Sequence, residues 1–183
     1  MKLMISALCI SIASTSYSAE LVKACDVGSH PSRTVEVVRD SKIASTYVYY
    51  LRQNGKRTPI FESPDQSRGE SVLVECVGRK RRALVVSGEF TANARQGFVI
   101  SSIGDAGELD RMDFAEKSPP QWLFQGEHEV IVIIPTSGYG ETNSAYVAYR
   151  HTAGTHAADR TEAIDRLPSR SGFEVLRLRM PAR

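Results

Sequence analysis

This sequence predicts an all-β, antiparallel fold, on three observations. Helical periodicity is weak along the chain, while short runs rich in Val, Ile, Tyr, Phe and Thr recur between Gly, Pro, Asn and Asp. Alternation of period two appears where a strand with one buried face requires it, as in Val72, Val74 and Cys76 with Glu75 between the last two. The runs also fall into a repeat of about 50 residues, marked by the pairs Tyr47-Val48, Phe98-Val99 and Tyr146-Val147.

Taken in order, strands are expected at 34–39, 46–52, 71–77, 82–87, 97–103, 109–115, 121–124, 129–134, 145–151 and 173–179. Each repeat begins with an apolar strand and continues with the strand that carries the aromatic-Val pair. A Gly-bearing turn follows: Asn54-Gly55, then 104–107, then the stretch around Gly154. Asn-Gly is a strong hairpin signal because both central turn positions need positive φ. A short third strand comes next, around Ile60-Phe61, 112–114 and Ala163-Ile164. A proline break follows at Pro64, Pro119-Pro120 and Pro168, and a fourth strand starts near Val72, Trp122 and Phe173. The units run approximately 34–77, 82–126 and 129–179 within one all-β domain over 20–183. Segment 157–166 reads equally as a short helix or as a loop entering a strand.

A four-stranded antiparallel repeat of this length resembles the blade of a β-propeller over 34–179. The Trp-Asp dipeptide of the commonest blade family is absent, and propellers usually have four to eight blades. The resemblance therefore implies a propeller-like fold of three units, a partial propeller, or a β-sandwich of meanders.

The first residues predict export. Met1-Lys2, a nearly continuous apolar run over 3–13 and the small residues up to Ala19 follow the pattern of a signal peptide over 1–19, cleaved after Ser18 or Ala19. The apolar run is too short for a membrane span, which takes roughly 20 residues. Cys9 leaves with that segment. Cys25 and Cys76 remain, and two cysteines in an oxidising compartment most simply form one disulfide. Closing a ring of about 52 residues removes roughly 4 kcal/mol of unfolded-state entropy in the chain-entropy model. Lys plus Arg total 23 and Asp plus Glu total 21, a formal charge of +2, without the basic excess of a dedicated nucleic-acid binder.

The motifs that would name a reaction are missing. There is no Gly-x-Ser-x-Gly, no His-Glu-x-x-His and no phosphate-binding Gly-x-x-x-x-Gly-Lys-Ser/Thr. His151, His156 and Asp159 lie close in one polar loop, but their spacing matches no established metal site, and neither metal nor cofactor is expected. Carboxylates at Glu89, Asp105, Glu108, Asp110 and Glu141 leave open a small secreted hydrolase that uses two of them across a glycosidic bond. Arg79, Lys80, Arg81 and Arg82 form four consecutive cations between two strands. They suit contact with an anionic surface, or a charged turn that blunts a sheet edge. Trp122 could stack on a sugar, although a single Trp in a small β domain usually belongs to the core.

In a meander, alternate connections gather at one end. The connections 40–45, 88–96 and 135–144 are expected beside the proline breaks, and the Gly-bearing hairpins and the basic turn at the opposite end. Loops held by a rigid sheet are common binding positions. The expected partner-binding residues are therefore Glu89, Phe90, Asn93 and Arg95 from one connection and Tyr139, Glu141 and Asn143 from another. Phe90 and Tyr139 stand out as aromatics in otherwise polar connections, with the rival reading that they fold back to cap the core. Size, export signal, single disulfide and strand content together resemble the periplasmic inhibitor and immunity proteins of bacteria. That resemblance implies a binding protein that neutralises a protein partner, such as a toxin or an envelope-targeting hydrolase, and no family residue is transferred by it. A carboxylate hydrolase and an envelope module binding glycan or lipid headgroups are the alternatives.

Overall fold

The computed structural model describes residues 19–28, 32–104, 108–138, 142–153 and 158–179. Residues 1–18, where the signal peptide is expected, and His30, Asp105, Tyr139, Glu141 and His156, lie outside them. The described residues form thirteen strands and contain no helix. Strands β1 (Glu20–Val27), β2 (Arg33–Arg39), β3 (Tyr47–Gln53) and β4 (Lys56–Pro59) make a first antiparallel meander. Strands β5 (Arg68–Val77), β6 (Ala83–Glu89), β7 (Arg95–Ser101) and β8 (Asp110–Glu116) make a second. Strands β9 (Trp122–Gln125), β10 (Glu129–Pro135), β11 (Tyr146–Thr152) and β12 (Ala158–Ile164) make a third, and β13 (Glu174–Arg177) returns to pair with β9.

The first two meanders belong to one eight-stranded sheet because β5 starts alongside β3, with Tyr47 opposite Gly69 and Val48 opposite Arg68. The third is a separate five-stranded sheet in the order β12-β11-β10-β9-β13. Hydrogen bonding thus groups the strands that close the first two sequence units with the unit that follows, β5 with β6 and β9 with β10, while β13, which closes the third, pairs back with β9. Within the expected segment 157–166, residue 157 lies outside the described residues and Ala158–Ile164 form β12. Ala, Glu and Arg are good helix formers, but propensity is a small term, and pairing along the whole of β11 overrides it. Asp159, Arg160 and Glu162 are exposed on this outer strand, where charge discourages edge-to-edge association.

The meanders stack face to face, and the second is the middle layer. Side chains alternate across a strand, so β6 sends Leu84 and Val86 to one face and Ala83 and Val85 to the other. Leu84 and Val86 pack with Cys25, Val35, Val37, Leu51, Phe98 and Ile100 against the first meander. Ala83 and Val85 pack with Val99, Met112, Leu123, Val130, Val132 and Ile134 against the third. All four of these β6 side chains are 0% exposed. A strand buried on both faces reads as an unbroken apolar run, which is what Ala83-Leu84-Val85-Val86 is. A third cluster, with Phe124, Ile131 and Ile133, fills the outer face of the five-stranded sheet, covered by Leu167 and Phe173 from the connection between β12 and β13.

Cys25 and Cys76 form the expected disulfide, with Cα atoms 5.6 Å apart, and it ties β1 to β5 where the first two layers meet. The turns at one end are also pinned together. Gly28 and Arg82 exchange two backbone hydrogen bonds, Gly104 donates to the Glu127 carbonyl, and Ala153 donates to that of His128. Asn54 and Gly55 both have positive φ, 49° and 76°, as the hairpin signal requires.

Tyr47, Phe98 and Tyr146 occupy the third strand of their respective meanders, the counterparts that the repeat predicts. Their register differs: Tyr47 and Tyr146 lead their strands, while Phe98 sits mid-strand opposite Val86. Phe98 is 0% exposed, and Tyr47 and Tyr146 are half-buried. Replacing Phe98 with Ala is expected to cost about 3–5 kcal/mol by chemical denaturation, the usual figure for a fully buried ring, and clearly more than Tyr146→Ala.

Candidate functional site

Between β4 and β5 the chain makes an excursion over 60–67 that closes on itself at Tyr49. The Tyr49 N–H donates to the Ser67 carbonyl (2.9 Å), and the Tyr49 carbonyl accepts from the Ile60 N–H (3.3 Å). The Phe61 N–H donates to Ser67 Oγ (2.9 Å), and the Ser67 N–H to the Ser63 carbonyl (3.0 Å). Ile60 and Ser67 are fully buried. The segment is a compact loop with adjacent ends, held by its own side chains. It places Phe61 edge-on to Phe90 (ring centroids 5.0 Å apart) and to Phe98 (6.1 Å).

Phe90, just past β6, lies over Gly69 and Gly88. A Cβ built on Gly69 would come within 2.4 Å of the Phe90 ring, and one on Gly88 within 2.9 Å. Both glycines are needed because the ring occupies the space of their missing side chains. The ring also stands edge-on to Tyr49 at 6.0 Å and is 8% exposed. Arg95 crosses the base of the same connection. It pairs with Glu89 (2.9 Å) and donates to the Ser71 carbonyl (3.2 Å). Ser71 has φ +51° in the bulge where β5 shifts register against β6. The Arg95 side chain is 10% exposed.

Two adjoining concavities result. One, of about 1020 Å³, lies between the excursion, β7, β8 and Tyr149, with Phe61, Phe90 and Phe114 among its lining and Glu62, Asp65 and Asp113 as its acidic groups. The other, of about 830 Å³, is lined from four different connections, by Thr46, by Asp65 and Arg68, by 89–95, and by Lys117 and Pro119. They share Asp65, Phe90 and Thr91. The gathering of connections beside the proline breaks is thus visible for the first and second units.

The residues singled out in the sequence divide accordingly. Glu89 and Asn93 are exposed in the second concavity, whereas Phe90 caps the core and Arg95 is engaged by Glu89 and Ser71. Asn143 is exposed in a different, smaller concavity with Thr136 and Thr142, and Tyr139 and Glu141 lie outside the described residues. The basic turn sits at the opposite end. The Arg79 and Lys80 N–H groups donate to the Glu174 carboxylate, and Arg81 donates to the Glu127 carbonyl, which leaves Arg79, Lys80 and Arg82 exposed. His151 and Asp159 do meet, with Nδ1 2.6 Å from Oδ1, and Asp110 lies 3.7 Å from Nε2, but no cluster among the described residues could hold a metal ion. Trp122 packs edge-on to Tyr146 in the outer core.

Several groove residues were not foreseen: Glu62, Asp65, Arg111, Asp113 and Tyr149. The short strand expected around Ile60-Phe61 lies just before them, since β4 ends at Pro59 and Ile60-Phe61 open the excursion. The serines, proline and aspartate after Phe61 are the local signal for a loop. One electrostatic arrangement recurs around this part of the molecule. Arg39 lies over the Tyr47 ring (4.0 Å) and binds Glu20 (2.8 Å). Arg57 lies over Tyr50 (3.4 Å) and binds Asp40 (2.5 Å). Arg111 lies over Phe98 (4.1 Å) and binds Asp113 (2.5 Å). In each, a guanidinium is shared between a ring face and a carboxylate. The hydrogen bond from Arg39 holds the Glu20 carboxyl below the ordinary range for a glutamate.

The seating of Phe90 is directly testable. Gly69→Ala, whose Cβ would meet the Phe90 ring before any other group, is expected to cost about 1–3 kcal/mol, the range for overpacking, and to perturb the Phe90 ring resonances. Ala at Gly126, which lies away from Phe90, should leave those resonances unchanged. No known family model, curated protein or solved structure matches this chain.

Proposed function

We propose that the chain is an exported binding protein of the inhibitor or immunity type. In this reading it neutralises a protein partner, such as an envelope-targeting hydrolase, by docking the end at which the two concavities lie. The observation that carries the reading is the convergence of four connections, from two meanders of one sheet, on a preformed surface. Its walls are fixed by the Phe61–Phe90–Phe98 packing, the Arg95–Glu89 pair and the backbone closure at Tyr49. A surface already ordered before contact loses little conformational freedom on docking, which favours tight association over a modest area. The disulfide is compatible with an oxidising, extracytoplasmic compartment. No helix among the described residues is long and apolar enough to cross a membrane.

The test is site-specific trapping. A photo-crosslinking residue replaces Asn93, exposed in the second concavity, or Asn54, exposed in the β3–β4 turn, and each variant is irradiated in its native envelope. The expected result is one dominant protein adduct from position 93 and none from 54, with the trapped protein losing its hydrolytic activity when the unmodified chain is added. Equal adducts from both positions, or a trapped protein whose activity is unaffected, would contradict this function.

A further inference from the structure

The larger concavity carries a more specific inference, which rests on reading this end as a docking surface. Its wall is aromatic and its charge is one-sided. Among the described residues, Glu62, Asp65 and Asp113 line it against one cation, Arg111, and Arg111 is already paired with Asp113. Glu62 and Asp65 are exposed and make no ion pair among the described residues. The Asp65 carbonyl accepts from the Arg68 N–H, and the residue as a whole is exposed.

The same wall already shows which chemistry it accommodates. The Arg111 guanidinium lies 4.1 Å from the Phe98 centroid and 5.7 Å from that of Phe61, held by a carboxylate. Arg39 and Arg57 repeat the arrangement on Tyr47 and Tyr50. Phe61, half-buried and next to Phe90, lines the groove together with both carboxylates. Arg111, 5.7 Å from the Phe61 centroid, is committed to Asp113, and among the described residues no cation pairs with Glu62 or Asp65. A guanidinium or ammonium placed there gains ring and carboxylate together, which an anionic or purely apolar group does not.

We infer that the groove between the 60–67 excursion and β7–β8 binds an exposed Arg or Lys side chain of the partner protein, with Glu62 and Asp65 as its carboxylate acceptors and Phe61 as its aromatic wall. The partner segment carries net positive charge where it enters, and its association weakens with salt because the two acceptors stand in solvent.

The probe is a capped hexapeptide with two Arg residues, added at up to millimolar concentration to the isotopically labelled mature chain. Two control peptides carry Gln or Glu in place of the Arg residues, and a neutral oligosaccharide is a third control. The expected result is shifts confined to amides of 60–67, 90–91 and 111–114 with the Arg peptide only. Binding should weaken about tenfold, or 1.4 kcal/mol, in a Glu62→Gln, Asp65→Asn double variant with an unchanged melting curve. No shift with the Arg peptide, equal shifts with the Gln peptide, or stronger binding of the oligosaccharide would overturn the inference. The same double variant in the Asn93 trapping experiment separates the two readings. If adduct still forms while the Arg peptide fails to bind, docking at this end stands and the cation pocket falls. If neither occurs, both fall.

Discussion

The structure depends on the burial of one strand on both faces. Strand β6 is apolar at four consecutive positions, and those side chains serve two cores at once. Leu84 and Val86 hold the first meander to the second, and Ala83 and Val85 hold the second to the third. At about 25 cal/mol per Å² of apolar surface removed from water, such positions dominate the favourable side of folding. β7 repeats the division, with Phe98 and Ile100 on one side and Val99 on the other. The disulfide and the pinned turns are secondary ties, which join layers already brought together by these two strands.

The groove inherits its geometry from this middle layer. Phe90 leaves the end of β6 and can lie flat only because Gly88 in β6 and Gly69 in β5 offer it space. Phe61 then packs on Phe90 and on Phe98 of β7, which fixes how far the excursion stands from the sheet. Arg111 closes the far wall from β8, over the outer side of Phe98. A change at the centre of β6 or β7 is therefore felt in the shape of the groove as well as in stability, because close-packed interiors transmit displacement.

Much of the fold was legible in the sequence because its causes are local. Ala83-Leu84-Val85-Val86 announces a strand without a solvent face, Asn54-Gly55 a tight hairpin, and the recurrence of Tyr47, Phe98 and Tyr146 three equivalent strands. The repeat could not show which neighbour each fourth strand prefers, since β5 carries one apolar face that suits either side and only pairing decides. The site was legible in part. Residues 89–95 line the second concavity, but the sequence could not tell whether Phe90 faces out or in, because the answer lies in two glycines, one of them about twenty residues earlier in the chain. Glu62, Asp65 and Arg111 acquire their meaning only when segments far apart in sequence meet.

Amide hydrogen exchange measured residue by residue tests the central claim most directly, since protection follows the free energy of the opening that exposes each group. If β6 is the double-sided centre of the molecule, Leu84, Val85 and Val86 together with Val99 of β7 will exchange slowest, at a common rate set by global unfolding. The amides of the outer strand β12, from Asp159 to Glu162, will exchange orders of magnitude faster. Exchange in β6 as fast as in β12, or slowest protection confined to the five-stranded sheet, would contradict the account.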